Sequence, residues 1–430
     1  MTIQYSLQNV LPNLHSLITE GPNVWRGELG AGITTAALLI PQSMAYAMLA
    51  GLPAQVGLYA ALIPIVIYAI LGSTKTLAVG PVAMDSLLTM VTLNGVAVSM
   101  SATYIEVAGL LALMVGVCLM LMSLLRVGQI VGYLGSAMMG GFTSAAAIMI
   151  GLSQLKHLLG ISLGRHITAH QVIMTAFNQI DQVSVFTLII GIISLLIFRG
   201  LPRVSPRVPS GLTGVMVMIG LGYLFNIEAH GVSVVGTIPE GLPTFSLPNI
   251  DRLKEILIGE YSGQILGGAL SIALLAFMEA IAVGKAVAHD KGYEIKPGQE
   301  LFALGASNMS VAFFGGYPVA GGFSRTAVND RAGARTPLAS VITFLAVGIV
   351  VWRLTPALYY LPHATLAAMI MSAVYGLIDF KMLFALIRED RIQALIWFST
   401  FSVTLTLGLQ TGIILGLVLS LLARFIKPVE

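Results

Sequence analysis

Residues 315–330 read GGYPVAGGFSRTAVND, a proline, four glycines, several hydroxyls and Arg325 set inside a chain that is 57% hydrophobic and only 10% charged. A bilayer interior tolerates irregular, charged backbone only where it is buried in protein or lines a wet cavity. The stretch is therefore read as a substrate site. Its chemistry is that of anion binding. Ser324 is placed to N-cap a helix that starts here, and Arg325 adds a full positive charge in the first turn, where the helix dipole disfavours a cation. A second segment of the same kind runs over 76–80 before Pro81, with a helix expected to start at Val82 and Ala83. Two half-helices beginning near mid-membrane would aim their free amides into one cavity.

Three more polar residues lie in apolar surroundings. Glu279 has no charged residue within five positions on either side. An intramembrane carboxylate of this kind is a candidate proton carrier or a structural partner of Arg325. Asp85 lies one turn into the helix after Pro81 and is a second protonation candidate. Gln42 can donate to an anion's oxygens without carrying charge. Lys285, six residues beyond Glu279, is expected to snorkel towards the end of its span.

These residues need membrane helices to hold them. A mean hydropathy of +0.90 over 430 residues exceeds what the core of a soluble domain requires. At roughly 20 apolar residues per span, the chain divides into fourteen segments. They cover 29–50, 55–71, a broken 77–93, 104–124, 130–152, 183–198 and 210–225. The second group covers 263–287, 300–314, the broken segment already described, 337–354, 364–377, 392–407 and 411–425. Residues 1–28 read as an interfacial pre-helix with Val10, Leu11, Leu14, Leu17 and Ile18 at helical spacing, and not as a signal peptide. With the N-terminus inside, 16 of the 22 Lys/Arg residues fall on the cytoplasmic side, which places both termini there. Lys156, Arg165, Arg252, Lys254 and Arg353 fall outside, and Arg325 stays within the membrane. Pro81-Val82-Ala83 recurs as Pro318-Val319-Ala320, and the same offset of 237 residues carries Gln42 onto Glu279. Seven spans per half would make the second copy inverted, as in secondary transporters.

Several classes are excluded. The single cysteine, Cys118, offers neither a disulfide framework nor a thiolate metal site. Net charge is +3 with no basic block, so nucleic acid is not expected as a partner. Walker, dinucleotide, HExxH and nucleophile-elbow motifs are missing. No enzymatic activity, cofactor or metal is therefore expected, and transport by gradient or exchange remains.

The chain resembles the SulP sulfate-permease family, which includes bacterial anion transporters, animal anion exchangers and prestin. The likeness rests on Pro41-Gln42-Ser43-Met44-Ala45-Tyr46-Ala47 followed by Ala50-Gly51-Leu52-Pro53. It continues through Gly57-Leu58-Tyr59-Ala60-Ala61, Gly72-Ser73-Thr74-Lys75, Val79-Gly80-Pro81 and the Ser324-Arg325 pair. Val56 stands where the family usually has an aromatic. The resemblance implies an all-α, seven-plus-seven inverted-repeat fold like that of nucleobase permeases, with short β-segments in broken spans three and ten. Residues 29–124 and 263–354 would form a moving core, and 130–225 and 364–425 a gate, working as an elevator. The family's anion site falls on Gln42, Val82, Ala83, Ser324 and Arg325, and Glu279 matches a position that is acidic in some members. Asp85 departs from the usual apolar or hydroxyl residue. Members usually continue into a cytoplasmic STAS domain, whereas this sequence stops at Glu430.

The expectation is thus a secondary anion transporter in a bacterial inner membrane, working as a homodimer. Proton-coupled symport of a C4-dicarboxylate such as fumarate is the leading reading. Transport or exchange of sulfate, bicarbonate or chloride is its alternative. A nucleobase permease and a non-transporting motor or sensor are more distant ones.

Overall fold

The computed structural model describes residues 11–97, 102–128, 136–161, 169–205 and 209–426. Val10, the start of the span expected at 130, Arg165 and Arg207 lie outside these residues. The first half contains α1 (Pro12–Thr19), α2 (Gly21–Leu49), α3 (Ala54–Ala60), α4 (Ile63–Leu71), β1 (Val79–Gly80) and α5 (Ala83–Thr92). It continues with α6 (Ala102–Leu124), α7 (Ser136–Ser153), α8 (Leu155–Leu159), α9 (Ala169–Asn178), α10 (Val185–Val204) and α11 (Ser210–Leu224). After α12 (Ile250–Ile258) come α13 (Ser262–Lys291), α14 (Pro297–Ala312), β2 (Ala320–Gly321) and α15 (Phe323–Arg331). The chain closes with α16 (Leu338–Ile349), α17 (His363–Tyr375), α18 (Phe380–Glu389), α19 (Arg391–Leu407) and α20 (Leu409–Ile426).

Each apolar segment read from the sequence carries helix, and among the described residues eight helices are long and apolar enough to cross a membrane. Three features differ from the reading. The segment at 55–71 is two helices, because Pro64 in the first turn of α4 has no N–H to continue the hydrogen-bond ladder of α3. The segment at 337–354 ends in a π-turn at Val350–Leu354 and a 3-10 turn at Thr355–Leu358. An amphipathic helix, α18, starts at Asp379, whose carboxylate accepts from Met382 N–H, and leaves Phe380, Phe384 and Ile387 exposed. In α1 the docked face is polar. Asn13 and Ser16 are buried, Asn13 donates to Thr74 O, and Ile18 stays exposed.

Helices pack closely where glycine permits. A Cβ on Gly57 would lie 1.9 Å from the Ser43 carbonyl oxygen of α2, so the motif around it needs glycine for backbone contact. Gly116 of α6 and Gly305 of α14 meet in the same way, each facing the other helix's backbone.

The two broken segments meet at the centre. β1 and β2 pair antiparallel, Val79 opposite Gly321 and Gly80 opposite Ala320, which sets the starts of α5 and α15 side by side. The remaining irregular backbone is paired by side chains. Asn329 donates to Thr76 O, Thr326 accepts from Ala78 N–H, and Asn308 bonds both N–H and C=O of Val319. Glu300, fully buried, accepts from Tyr68 OH and from the amides and hydroxyls of Ser73 and Thr74. The Gly72-Ser73-Thr74-Lys75 motif is the loop that wraps this carboxylate. Glu300→Ala leaves those donors unpaired in the interior and should lower stability by about 3 kcal/mol or more. A thermal melt of the purified protein should show the loss, with partial recovery in Glu300→Gln, which retains one acceptor oxygen.

Candidate functional site

Neither α5 nor α15 has a side-chain cap. Val82 is the N-cap of α5 and Gly322 that of α15, and both adopt extended backbone. The first-turn amides of a helix have no intrahelical acceptor, so both ends present free N–H groups carrying partial positive charge. Ser324 is therefore not the cap expected from the sequence. It lies inside the first turn and faces open space, because the chain turns into the helix two residues earlier.

A cavity of about 510 Å³ opens at these ends. Of the residues expected to bind or couple, Val82, Ala83, Ser324, Arg325 and Glu279 line it. Gln42 and Asp85 do not. Gln42 is buried behind the wall with Oε1 unpartnered, while Tyr46, one turn further along the same face of α2, reaches the cavity. The sequence signal for Tyr46 was its spacing of four from Gln42 on one helix. Asp85 is fully buried in the first turn of α5, and neither carboxylate oxygen has a hydrogen-bond partner among the described residues. Lys285 lies on the cavity rim with its side chain exposed. The wall opposite α5 and α15 comes from α7 and α17, through residues such as Thr143 and Val374.

Arg325 is 1% exposed. Its Nη1 donates to Pro81 O at 2.6 Å, while Nε and Nη2 have no partner among the described residues. It makes no ion pair with Glu279 or Asp85 at contact distance. The neutralising contact considered from the sequence is therefore not formed. A guanidinium held at one nitrogen and open at two others presents the fork that suits an oxyanion. Gly322 is its seat, since a Cβ there would lie 2.7 Å from both Cζ and Nη2. Tyr317, at the back of the site, shares a 3.0 Å hydrogen bond with the Ser86 hydroxyl, which braces the end of α5.

A sequence model of the sulfate permease family matches residues 25–400. A chloroplastic sulfate transporter of Arabidopsis thaliana is 38% identical over 403 residues, which cover 92% of this chain and 57% of the relative. A probable sulfate transporter of Mycobacterium tuberculosis is 32% identical over 92% of this chain and 70% of its own length. The chain spans less than two thirds of the length of this Arabidopsis transporter and of a second, probable sulfate transporter of the same plant. Among solved structures, murine solute carrier 26 family member A9 in its inward-facing state superposes with a TM-score of 0.87 at 24% identity, covering 98% of this chain and 72% of that one. The transmembrane domain of a cyanobacterium bicarbonate transporter gives a TM-score of 0.77 at 22% identity, over 92% and 97% of the two chains. These likenesses show a common fold.

The seat under Arg325 can be tested sterically. Gly322 has φ −88°, which alanine adopts without strain, and the three atoms nearest its added methyl all belong to the guanidinium. Gly322→Ala should weaken binding of a small oxyanion about tenfold, some 1.4 kcal/mol. The readout is the anion concentration needed to protect the purified protein from heating, with melting of the ligand-free protein unchanged.

Proposed function

Because this chain belongs to the sulfate permease family, we propose that it carries a small inorganic oxyanion, sulfate or bicarbonate, across a cell membrane by proton-coupled secondary transport. One observation carries the reading: a buried arginine with two unpaired nitrogens sits between two uncapped helix N-termini in a single cavity. All three positive elements converge on one point, which suits one compact anion. The Arabidopsis and Mycobacterium relatives are named as sulfate transporters and one structural neighbour as a bicarbonate transporter, which favours an inorganic oxyanion over the C4-dicarboxylate. A nucleobase would need acceptors where Arg325 supplies only donors.

Proton coupling rests on the acidic side of the site. An entering oxyanion meets Glu279 on the cavity wall and Asp85 just behind it. Like charges in a water-poor cavity repel strongly. Protonation of Glu279 removes one negative charge as the anion adds its own, so proton and anion enter together and leave together, and the charge of Asp85 behind the wall sets how readily Glu279 takes the proton. The cavity lies between α5, α13 and α15 on one side and α7 and α17 on the other. Displacement of the first group against the second would carry the site across the membrane as an elevator, within a seven-plus-seven repeat. The cavity lining reaches Lys285, which is exposed and which the charge distribution assigns to the cytoplasmic end of α13. The conformation therefore reads as inward-open, in a dimeric inner-membrane protein with both termini inside.

The test is uptake of labelled sulfate, bicarbonate and fumarate into proteoliposomes with and without an inward proton gradient. Sulfate or bicarbonate uptake should accelerate with the gradient, and Arg325→Ala should reduce it by about two orders of magnitude, as loss of a charged hydrogen-bond donor to a bound anion would. Glu279→Gln should abolish the acceleration while leaving anion exchange. Asp85→Asn should shift the pH at which uptake is half-maximal. Gradient-insensitive uptake in the wild type would make the protein an exchanger, and uptake of fumarate alone would restore the dicarboxylate reading.

A further inference from the structure

A second polar cleft lies away from the central cavity, where the start of α2 meets the turn between α15 and α16. It measures about 570 Å³ and is lined by Val24, Trp25, Arg26, Gly27, Gly333 and Arg335. Both arginines are exposed and neither forms an ion pair among the described residues. The nearby carboxylates are already engaged. Glu28, next in sequence to the cleft, turns inward and accepts from the amides of Arg335, Thr336 and Ala339, and Asp330 pairs with Lys291. Gly27 and Gly333 form a floor without side chains, a Cβ on Gly27 lying 3.4 Å from Gly333 O. The result is two unneutralised guanidinium groups over a shallow floor, the arrangement that takes phosphate.

What surrounds the cleft specifies the source of that phosphate. Trp25, Leu29 and Ile33 are 53%, 41% and 52% exposed, and their spacing of four puts them on one face of α2. They form an apolar stripe of about 12 Å running from the cleft into the bilayer, long enough to lie along much of an acyl chain. Trp25 sits at the junction, with the Arg26 Cζ 5.7 Å from its ring centroid. An amphipathic ring at the headgroup level with basic groups above it is a membrane-interface arrangement. The charge count puts this end of the molecule on the cytoplasmic side, whose leaflet carries anionic lipid. The geometry points to a binding site for one anionic phospholipid, its phosphate held by Arg26 and Arg335 and an acyl chain laid along Trp25, Leu29 and Ile33.

Trp25 is its own reporter. In a Trp352→Phe background the remaining tryptophan, Trp397, is fully buried, so quenching by lipid reports Trp25. The full chain is reconstituted in phosphatidylcholine vesicles containing a minor fraction of brominated phosphatidylglycerol or, in parallel, of brominated phosphatidylcholine. Brominated phosphatidylglycerol should quench about fivefold more effectively, and Arg26→Gln with Arg335→Gln should bring the two lipids level without changing the melt. Equal quenching by both lipids before substitution, or a preference that survives it, overturns the site. If soluble glycerol phosphate at millimolar concentration abolishes the preference, the ligand is a free phosphate ester and the lipid assignment fails.

Discussion

The architecture depends on one constraint: in a medium without water, every backbone N–H and C=O that leaves a helix must find its partner inside the protein. Two stretches of this chain leave helix near the centre, and each is stitched by polar side chains from helices around it. Glu300, Asn308, Thr326 and Asn329 serve the loops before β1 and β2, and the two-residue β pairing joins the loops to each other. Gln264 of α13 does the same at the far end of α5, donating to the carbonyls of Thr92 and Asn94. An unpaired buried group costs about 1–3 kcal/mol, so the groups left unpaired are informative. Those around the central cavity include the uncapped first-turn amides of α5 and α15, two nitrogens of Arg325, both oxygens of Asp85 and Oε1 of Gln42.

The charges left over are arranged against local preference on one side and with it on the other. Asp85 sits at the positive end of α5, where an anion is favoured by up to about 1 kcal/mol, and Arg325 sits at the positive end of α15, where a cation is disfavoured by a similar amount. Those helix-end terms are small beside the several kcal/mol of desolvation for a buried ion. Arg325 has one carbonyl, Pro81 O, to set against that cost. An anion bound there, as proposed above, would supply the missing partner for the guanidinium and for both helix ends at once. On the proposed reading it would also sharpen the repulsion on Asp85 and Glu279, and so would couple anion and proton affinity through one small volume.

The elements that depend on hydropathy were legible in the sequence. The breaks of spans three and ten were readable from Gly80-Pro81 and from the glycines around Arg325. Tertiary partners were less so. Glu300 read as the start of a span because a carboxylate that accepts from a distant loop has no local signature. Ser324 looked like a cap because capping is inferred from residue type, whereas the extended Gly322 takes that position. The Pro-Val-Ala match paired Val82 and Ala83 with Val319 and Ala320. In the structure Val82 and Ala83 cap and begin α5 as Gly322 and Phe323 cap and begin α15, so the residue match is displaced by three from the structural one. Gln42 fell behind the cavity wall for a related reason. A helix face read from spacing is broad, and only packing decides which of Gln42 and Tyr46 reaches the opening.

Packing also bears on the motion proposed above. Within each group of helices, backbone meets backbone at glycine: Gly57 against Ser43, Gly116 against Met309 and Gly32 against Ala339 on one side, Gly141 against Trp397 on the other. Such contacts have no slack, because a dense interior transmits displacement instead of absorbing it. The seam between the groups is different in kind. The cavity separates them there, and Met84, Met139, Met278 and Met382 line it, side chains with three rotatable bonds and no branching. Methionine can exchange one set of apolar contacts for another at little energetic difference, so sliding at this seam meets a lower barrier than deformation of either group. Arg325, Ser324 and the ends of α5 and α15 are joined to one another by the β1–β2 pairing and the bond from Arg325 to Pro81 O. The elevator motion proposed above would therefore displace the site as a unit, with the hydrogen bonds that hold it intact.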